Sequence, residues 1–132
     1  VENPGLISGA WGGHTGPIPS LTGIFMSTIV LKARGKAGFG SLGGRNVFLY
    51  VVSGEVKVSG TAIPAWTLAQ FDLAGDMLEI EAAKDAVVLF GHGEPIGEPV
   101  FAHGPFVMNT REEILDAIRD YDAGLFDNVT AA

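Results

Sequence analysis

The sequence contains no cysteine and only three histidines. The absence of cysteine excludes a disulfide scaffold, a thiolate metal site and a cysteine nucleophile. No apolar run approaches the length of a membrane span, and no basic segment followed by an apolar core marks a signal peptide. We therefore expect a cytoplasmic protein with no membrane partner.

Charged residues are also scarce, at 17% of the chain, and acidic residues outnumber basic ones to give a net charge of −7. An acidic balance repels phosphate backbones, because nucleic-acid binding relies on lysine and arginine. We therefore expect no direct contact with nucleic acid.

What is abundant is turn-forming and apolar. The 132 residues include 19 glycines and 7 prolines, and 47% of the chain is hydrophobic. Short apolar runs with glycine and proline between them predict an all-β fold, a jelly-roll β-barrel or sandwich. We expect one domain over residues 1–132, with residues 1–20 as a loop or linker leading into it. The chain begins with Val1 rather than methionine, so we expect a processed or shortened protein.

Two strands are particularly clear. The continuous apolar run Val47–Val52 predicts a strand buried on both faces, and Ser53–Glu55 predicts a hairpin turn after it. Residues Met77–Glu81 alternate, which predicts one buried face and one solvated face carrying Glu79 and Glu81. A solvated face explains these carboxylates better than an acid–base pair does.

The only confident helix is predicted over residues 110–124. Thr110 and Glu113 form a capping-box pattern at its start, and Gly124 is a natural terminator. An apolar stripe is expected to be buried, comprising Ile114, Leu115, Ile118 and Tyr121.

Two sets of residues are candidates for function. His92, Glu94 and His103 contain the residue types of a two-histidine, one-carboxylate iron site. The competing interpretation is that they are loop residues with ordinary hydrogen bonds. Five aromatic residues are expected either to line a ligand cavity or to fill the core, namely Trp11, Phe25, Phe39, Tyr50 and Trp66.

Two segments also carry a family resemblance. Gly40–Val56 resembles the first signature of the cupin superfamily, which ends in a Tyr-Val-x-x-Gly-Glu pattern. The segments Glu94–Val100 and His103–Ile114 resemble the C-terminal domain of pirins. The resemblance extends from about Gly5 to Phe126 and implies the second half of a two-cupin protein.

The resemblance also implies where metal ligands would stand. The cupin histidine, histidine and glutamate positions fall at Ser41, Gly43 and Val47, none of which is a ligand of that type. Many pirins have Gly-His-Asn before the following strand, and here Arg45 replaces that histidine. In pirins the iron lies in the N-terminal cupin, so the resemblance implies no metal and no cofactor in this chain, and leaves the catalytic residues unknown.

Three functions follow as hypotheses. Full-length pirins are iron-binding proteins, of which some are transcriptional co-regulators and some have quercetin dioxygenase activity. The first hypothesis is a structural, metal-free domain that binds a protein partner, or forms a homodimer, through its C-terminal helix. The second is a quercetin 2,3-dioxygenase-type enzyme, and the third is a module that binds a small, flavonoid-like aromatic ligand.

Overall fold

A computed structural model describes residues 5–127, which are folded mainly as short antiparallel strands joined by turns and loops. One α-helix, α1 (Arg111–Asp122), follows the last strand. The strands are β1 (Gly5–Ser8), β2 (Ala10–Trp11), β3 (His14–Thr15), β4 (Phe25–Leu31), β5 (Lys36–Phe39), β6 (Asn46–Ser53), β7 (Glu55–Val58), β8 (Thr61–Pro64), β9 (Leu68–Phe71), β10 (Leu78–Ala82), β11 (Ala86–Gly93), β12 (Phe101–His103) and β13 (Phe106–Met108).

The chain divides into two compact units, Val1–Pro95 and Ile96–Ala132. The first unit contains a five-stranded sheet in the order β1-β4-β11-β6-β9 and a four-stranded sheet in the order β5-β10-β7-β8. The pair β2 and β3 forms a small separate hairpin. The predicted all-β jelly-roll class is confirmed, and its two sheets form a sandwich rather than a closed barrel. Whether residues 1–132 act as one domain stays a prediction.

The core of the first unit lies between the inward faces of the two sheets. Every second residue of β4, β6 and β11 points inward, as strand geometry requires. Their fully buried members include Ile29, Leu49, Val88 and Phe90, and Ile80 of β10 is buried from the other sheet. The predicted alternation at Met77–Glu81 is therefore confirmed.

The prediction for Val47–Val52 is wrong in one respect. Val47, Leu49 and Val51 are buried, whereas Val52 on the opposite face is 43% exposed. The strand is buried on one face only, because the outer face of an antiparallel sandwich is not covered by a second layer.

The predicted hairpin at Ser53–Glu55 is also wrong. Strands β6 and β7 belong to different sheets, so this segment carries the chain from one sheet to the other. Gly54 adopts a φ of +81°, and a Cβ atom there would lie 2.1 Å from the Asp85 carbonyl oxygen. Only glycine fits this close approach. The turn that does join paired strands, β7 to β8, lies at residues 59–60.

The second unit consists of the β12–β13 hairpin and α1, which packs on it. The predicted cap is confirmed: the Thr110 Oγ1 accepts from the Glu113 amide at 3.2 Å, and the Glu113 carboxylate accepts from the Thr110 amide at 2.9 Å. At the other end Gly124 has a φ of +72°, and the Leu125 amide donates to the Asp120 carbonyl in the manner of a Schellman motif.

The buried stripe of this helix differs from the predicted one. Ile114 and Ala117 are buried, whereas Leu115 is 48% and Tyr121 63% exposed. A three-turn helix on a two-stranded hairpin has little apolar surface to cover it, so the buried stripe is narrow. Within residues 5–127, no helix is long and apolar enough to cross a membrane.

Candidate functional site

The inward-facing rows of the five-stranded sheet end at an open cleft of about 770 Å³. His92 ends the inward row of β11, opposite Phe25 of β4 in the sheet register. Ser8 of β1 pairs with the next β4 residue, Met26. Because both neighbours of β4, the strands β1 and β11, place these residues at the same end of β4, Ser8 and His92 flank Phe25 at the cleft.

Arg45 lies at the centre of the polar side of this cleft. Its Nε donates to His92 Nδ1 at 2.8 Å, and its Nη2 donates to the Gly23 carbonyl at 3.0 Å. Its Nη1 lies 3.3 Å from Glu94 Oε1 in an ion pair. The Arg45 side chain is only 18% exposed, whereas that of Glu94 is 77% exposed. We call Arg45, His92 and Glu94 the Arg45 cluster.

The hydrogen bond from Arg45 fixes the tautomer of the neutral His92 ring. An arginine N–H is always a donor, so His92 Nδ1 is an acceptor and a neutral ring carries its proton on Nε2. The ring also stacks on Phe25, with 5.0 Å between centroids and 12° between planes. Burial lowers the pKa of His92, and the positive charge of Arg45 lowers it further. His92 is therefore a neutral Nε2–H donor at neutral pH.

Aromatic rings form the apolar side of the cleft. Phe39 stacks on Phe90 at 4.2 Å and meets Trp11 and Phe25 at 6.0 Å each. Phe25 and Phe39 belong to the core and also line the cleft together with Trp11, whereas ligand binding in the cleft stays a prediction. The other two aromatic candidates lie elsewhere: Trp66 is 82% exposed and Tyr50 is on the outward row of β6.

Ser8 is a cleft residue that sequence reasoning missed. It is only 6% exposed, and its hydroxyl has no hydrogen-bond partner among residues 5–127. A serine in a short glycine-bounded strand gives no sequence signal of burial, because it resembles any loop serine. Arg45 was visible in the sequence only as a replacement for a histidine.

The positions where a cupin would hold metal offer no ligand set. Val47 is buried in the core, and the Gly43 amide donates to Asp76 Oδ1 at 3.0 Å. Ser41 lines the cleft with a φ of +59°. In the same cleft, the Arg45 guanidinium donates to His92 Nδ1, which places a permanent positive charge against that nitrogen. The residues at the three cupin positions therefore do not fit the cupin metal.

The second predicted set, His92, Glu94 and His103, is divided between the two units. His92 and Glu94 both contact Arg45, and His103 lies in β12 of the second unit. Within residues 5–127, no group of three or more histidine, aspartate or glutamate side chains is arranged to hold a metal ion.

Two antiparallel sheets packed as a sandwich, with a cleft at one end of the inward-facing rows, are the features of the cupin fold. Residues 26–127 match the family model of the Pirin C-terminal cupin domain, and the chain belongs to this family. The predicted resemblance is thus confirmed.

Named relatives agree with this assignment. A pirin-like protein of Caulobacter vibrioides is 46% identical over 82 residues, covering 62% of this chain and 29% of the relative. A Pseudomonas aeruginosa protein, named provisionally as a quercetin 2,3-dioxygenase, is 33% identical over 121 residues, covering 92% of this chain and 42% of the relative.

A solved structure shows the same fold. The quercetin 2,3-dioxygenase of Acinetobacter baumannii superposes with a TM-score of 0.85 at 29% identity, covering 92% of this chain and 42% of that protein. The chain therefore spans less than half the length of each of these three relatives.

Proposed function

We propose that this chain is the metal-free half of a pirin-like protein and provides scaffold and partner-binding surface rather than catalysis. Any iron chemistry of the longer protein would then belong to an N-terminal cupin. The observation that carries this proposal is the 2.8 Å hydrogen bond from Arg45 Nε to His92 Nδ1. A guanidinium is a permanent cation, so it repels a metal ion from the cleft end where a cupin would bind one.

Exposed apolar side chains on the second unit support the partner-binding part of the proposal. Leu115 and Tyr121 of α1 are 48% and 63% exposed, and Val107 of the hairpin is 63% exposed. Several exposed apolar side chains on one small unit make it a candidate interaction surface. A protein partner or a second copy of the chain would cover them. Sedimentation of the wild type and of Leu115→Glu tests whether the chain forms a homodimer. A monomeric wild type would exclude the homodimer and leave a different protein as the partner.

Metal analysis of the purified chain tests the central part of the proposal. After dialysis against buffer with one equivalent of Fe(II), we expect well below one iron per chain. His92→Ala and His103→Ala serve as matched variants and should leave this result unchanged. Near-stoichiometric iron that either variant abolishes would contradict the proposal.

A second candidate function is binding of a small aromatic ligand, and the aromatic cleft favours it. Its volume of about 770 Å³ lies within the range of small-molecule sites, and Trp11, Phe25 and Phe39 line it. Ligand binding would raise the melting temperature logarithmically with ligand concentration. An unchanged melting temperature across a flavonoid panel would argue against it.

The enzymatic alternative rests on the names of relatives, among them the quercetin 2,3-dioxygenase of Acinetobacter baumannii. Oxygen uptake with quercetin and added iron discriminates it from the two proposals above. We expect no uptake above the background of free iron, because the cleft offers no ligand set to hold the metal.

A further inference from the structure

Three side chains that line the cleft can donate hydrogen bonds, namely Ser8, Arg45 and His92. Arg45 has five N–H donors, of which three contact His92, Glu94 and the Gly23 carbonyl. The Nε2–H of His92 is fixed by the bond from Arg45 to the other ring nitrogen. Ser8 adds a buried hydroxyl with no partner among residues 5–127. A ligand that satisfies these groups must present acceptor oxygens.

The apolar wall selects a flat ligand. Trp11, Phe25 and Phe39 line the cleft, and Trp11 is the most exposed of the three. Aromatic rings pack best against other rings in stacked or edge-on geometries. The cleft is also open to solvent on one side, which suits a ligand with one apolar part and one charged end.

Glu94 is the weakest partner of Arg45. Its Oε1 lies 3.3 Å from Nη1, and its side chain is 77% exposed. Exposed ion pairs contribute little to stability, because a carboxylate interacts with water almost as favourably as with a guanidinium. An incoming carboxylate bound inside the cleft would therefore replace Glu94 at small cost.

We propose that the cleft binds a small aromatic carboxylate, whose carboxylate displaces Glu94 from Arg45 and whose ring lies against Trp11 and Phe25. The carboxylate also accepts from His92 Nε2 or from the Ser8 hydroxyl. This inference rests on the second candidate function above, and it names the ligand class and the anchoring residues.

Calorimetric titration with cinnamate and with the neutral cinnamamide tests the inference. The two probes share one shape, so a difference between them reports the carboxylate. We expect cinnamate to bind at least about tenfold more tightly, since hydrogen bonds to charged groups are stronger than neutral ones. Equal affinities would overturn the carboxylate inference and leave aromatic binding standing. Absence of binding by both probes at millimolar concentration would overturn both.

Two substitutions locate the anchor. Glu94→Gln removes the competing carboxylate, so cinnamate should bind about threefold or more tightly. Arg45→Gln should reduce the affinity for cinnamate to that for cinnamamide. Lys36→Gln is the matched control, because it also removes one positive charge but lies outside the cleft, and it should bind cinnamate like the wild type. A loss of cinnamate binding in Lys36→Gln as large as in Arg45→Gln would overturn the inference.

The position of the bound cinnamate ring can be measured separately from its affinity. The chain has two tryptophans, of which Trp11 lines the cleft and Trp66 is 82% exposed. In an NMR titration with cinnamate, the indole N–H signal of Trp11 should shift and that of Trp66 should not. A shift of the Trp66 signal alone would place the ligand elsewhere and overturn the inference. This readout needs no substitution and so does not depend on a variant folding.

Discussion

Two cations of this protein each contact two side-chain partners, yet they lie in opposite environments. Arg45 contacts His92 and Glu94 at the cleft, with its side chain 18% exposed. Lys36 contacts Glu79 at 2.9 Å and Glu81 at 3.5 Å on the outer surface of β5 and β10, with its side chain 53% exposed. We call the second set the Lys36 cluster.

The difference shows that a charged side chain indicates function only when its burial is considered as well. The Lys36 cluster follows from strand register, because Glu81 lies directly opposite Lys36 in the sheet. Such exposed pairs contribute little to stability. The Arg45 cluster holds a partly buried cation against a neutral histidine, an arrangement that requires specific hydrogen bonds. This difference in burial is why we assign function to the Arg45 cluster and a structural role to the Lys36 cluster.

The largest effect is expected from removing Arg45. Arg45→Gln should lower the free energy of unfolding by about 2 kcal/mol, because His92 Nδ1 loses its donor inside the cleft. Arg45→Lys should recover only part of the loss, since a single ammonium cannot reproduce a fork that reaches three acceptors. Urea unfolding followed by circular dichroism measures both. A wild-type midpoint for Arg45→Gln would remove the distinction between the two clusters.

The next effect is a pH dependence that depends on His92. Its pKa in the folded protein is lowered from 6.5 by burial and then by Arg45. Below pH 6.5 the unfolded chain therefore binds more protons than the folded one, so stability falls as the pH falls through this window. The slope cannot exceed about 1.4 kcal/mol per pH unit for one proton.

The difference between wild type and His92→Gln isolates this contribution. His92→Gln should flatten the part of the stability curve just below pH 6.5. The matched His103→Gln change, at an exposed histidine of β12, should leave the wild-type slope in place. Thermal unfolding at half-unit pH steps measures the three curves. Parallel curves for wild type and His92→Gln would contradict the assignment.

A smaller effect on stability is expected from removing the buried, uncharged hydroxyl of Ser8. Ser8→Ala should raise the free energy of unfolding by about 1 kcal/mol, because it removes a buried hydroxyl that has no partner among residues 5–127. Ser20, a half-buried serine that also lines the cleft and accepts from the Ile24 amide at 3.0 Å, is the control because its hydroxyl has a partner. Ser20→Ala should not stabilise the protein. A destabilised Ser8→Ala would mean that this hydroxyl is already satisfied.

The smallest effect is expected at the Lys36 cluster. Glu79 and Glu81 raise the pKa of Lys36, chiefly through the hydrogen bond to Glu79. The Lys36 side chain is 53% exposed, so Lys36→Gln should leave the unfolding midpoint unchanged within error in 0.5 M salt, where surface charges are screened. A midpoint shift as large as that of Arg45→Gln would show that exposure does not separate the two clusters.

Local patterns in the sequence predicted the structural features that depend on residues close together along the chain. Thr110 and Glu113 predicted the helix cap, and the alternation around Leu78 predicted one buried face. Failures arose where distant residues decide the outcome. At Gly54 the sequence predicts a hairpin, but the backbone of Asp85 approaches there and the chain changes sheets.

The candidate site was less predictable than the fold. The sequence identified the missing metal ligands at Ser41, Gly43 and Val47, because a signature fixes their spacing. It gave no indication that Arg45 and His92, which are 47 residues apart, form a hydrogen bond. Burial of Ser8 likewise depends on pairing with β4. Strand pairing between distant segments created the cleft, and no local pattern encodes it.

The ring nitrogen resonances of His92 test the central claim most directly. In ¹⁵N-labelled protein at pH 7.5, we predict a neutral ring with an unprotonated Nδ1 and a proton on Nε2, and no change on adding one equivalent of Fe(II) under anaerobic conditions. That result means that Arg45, and not a metal, occupies the coordination position of this histidine. A ring protonated on Nδ1, or a His92 signal broadened by stoichiometric Fe(II), would contradict the account.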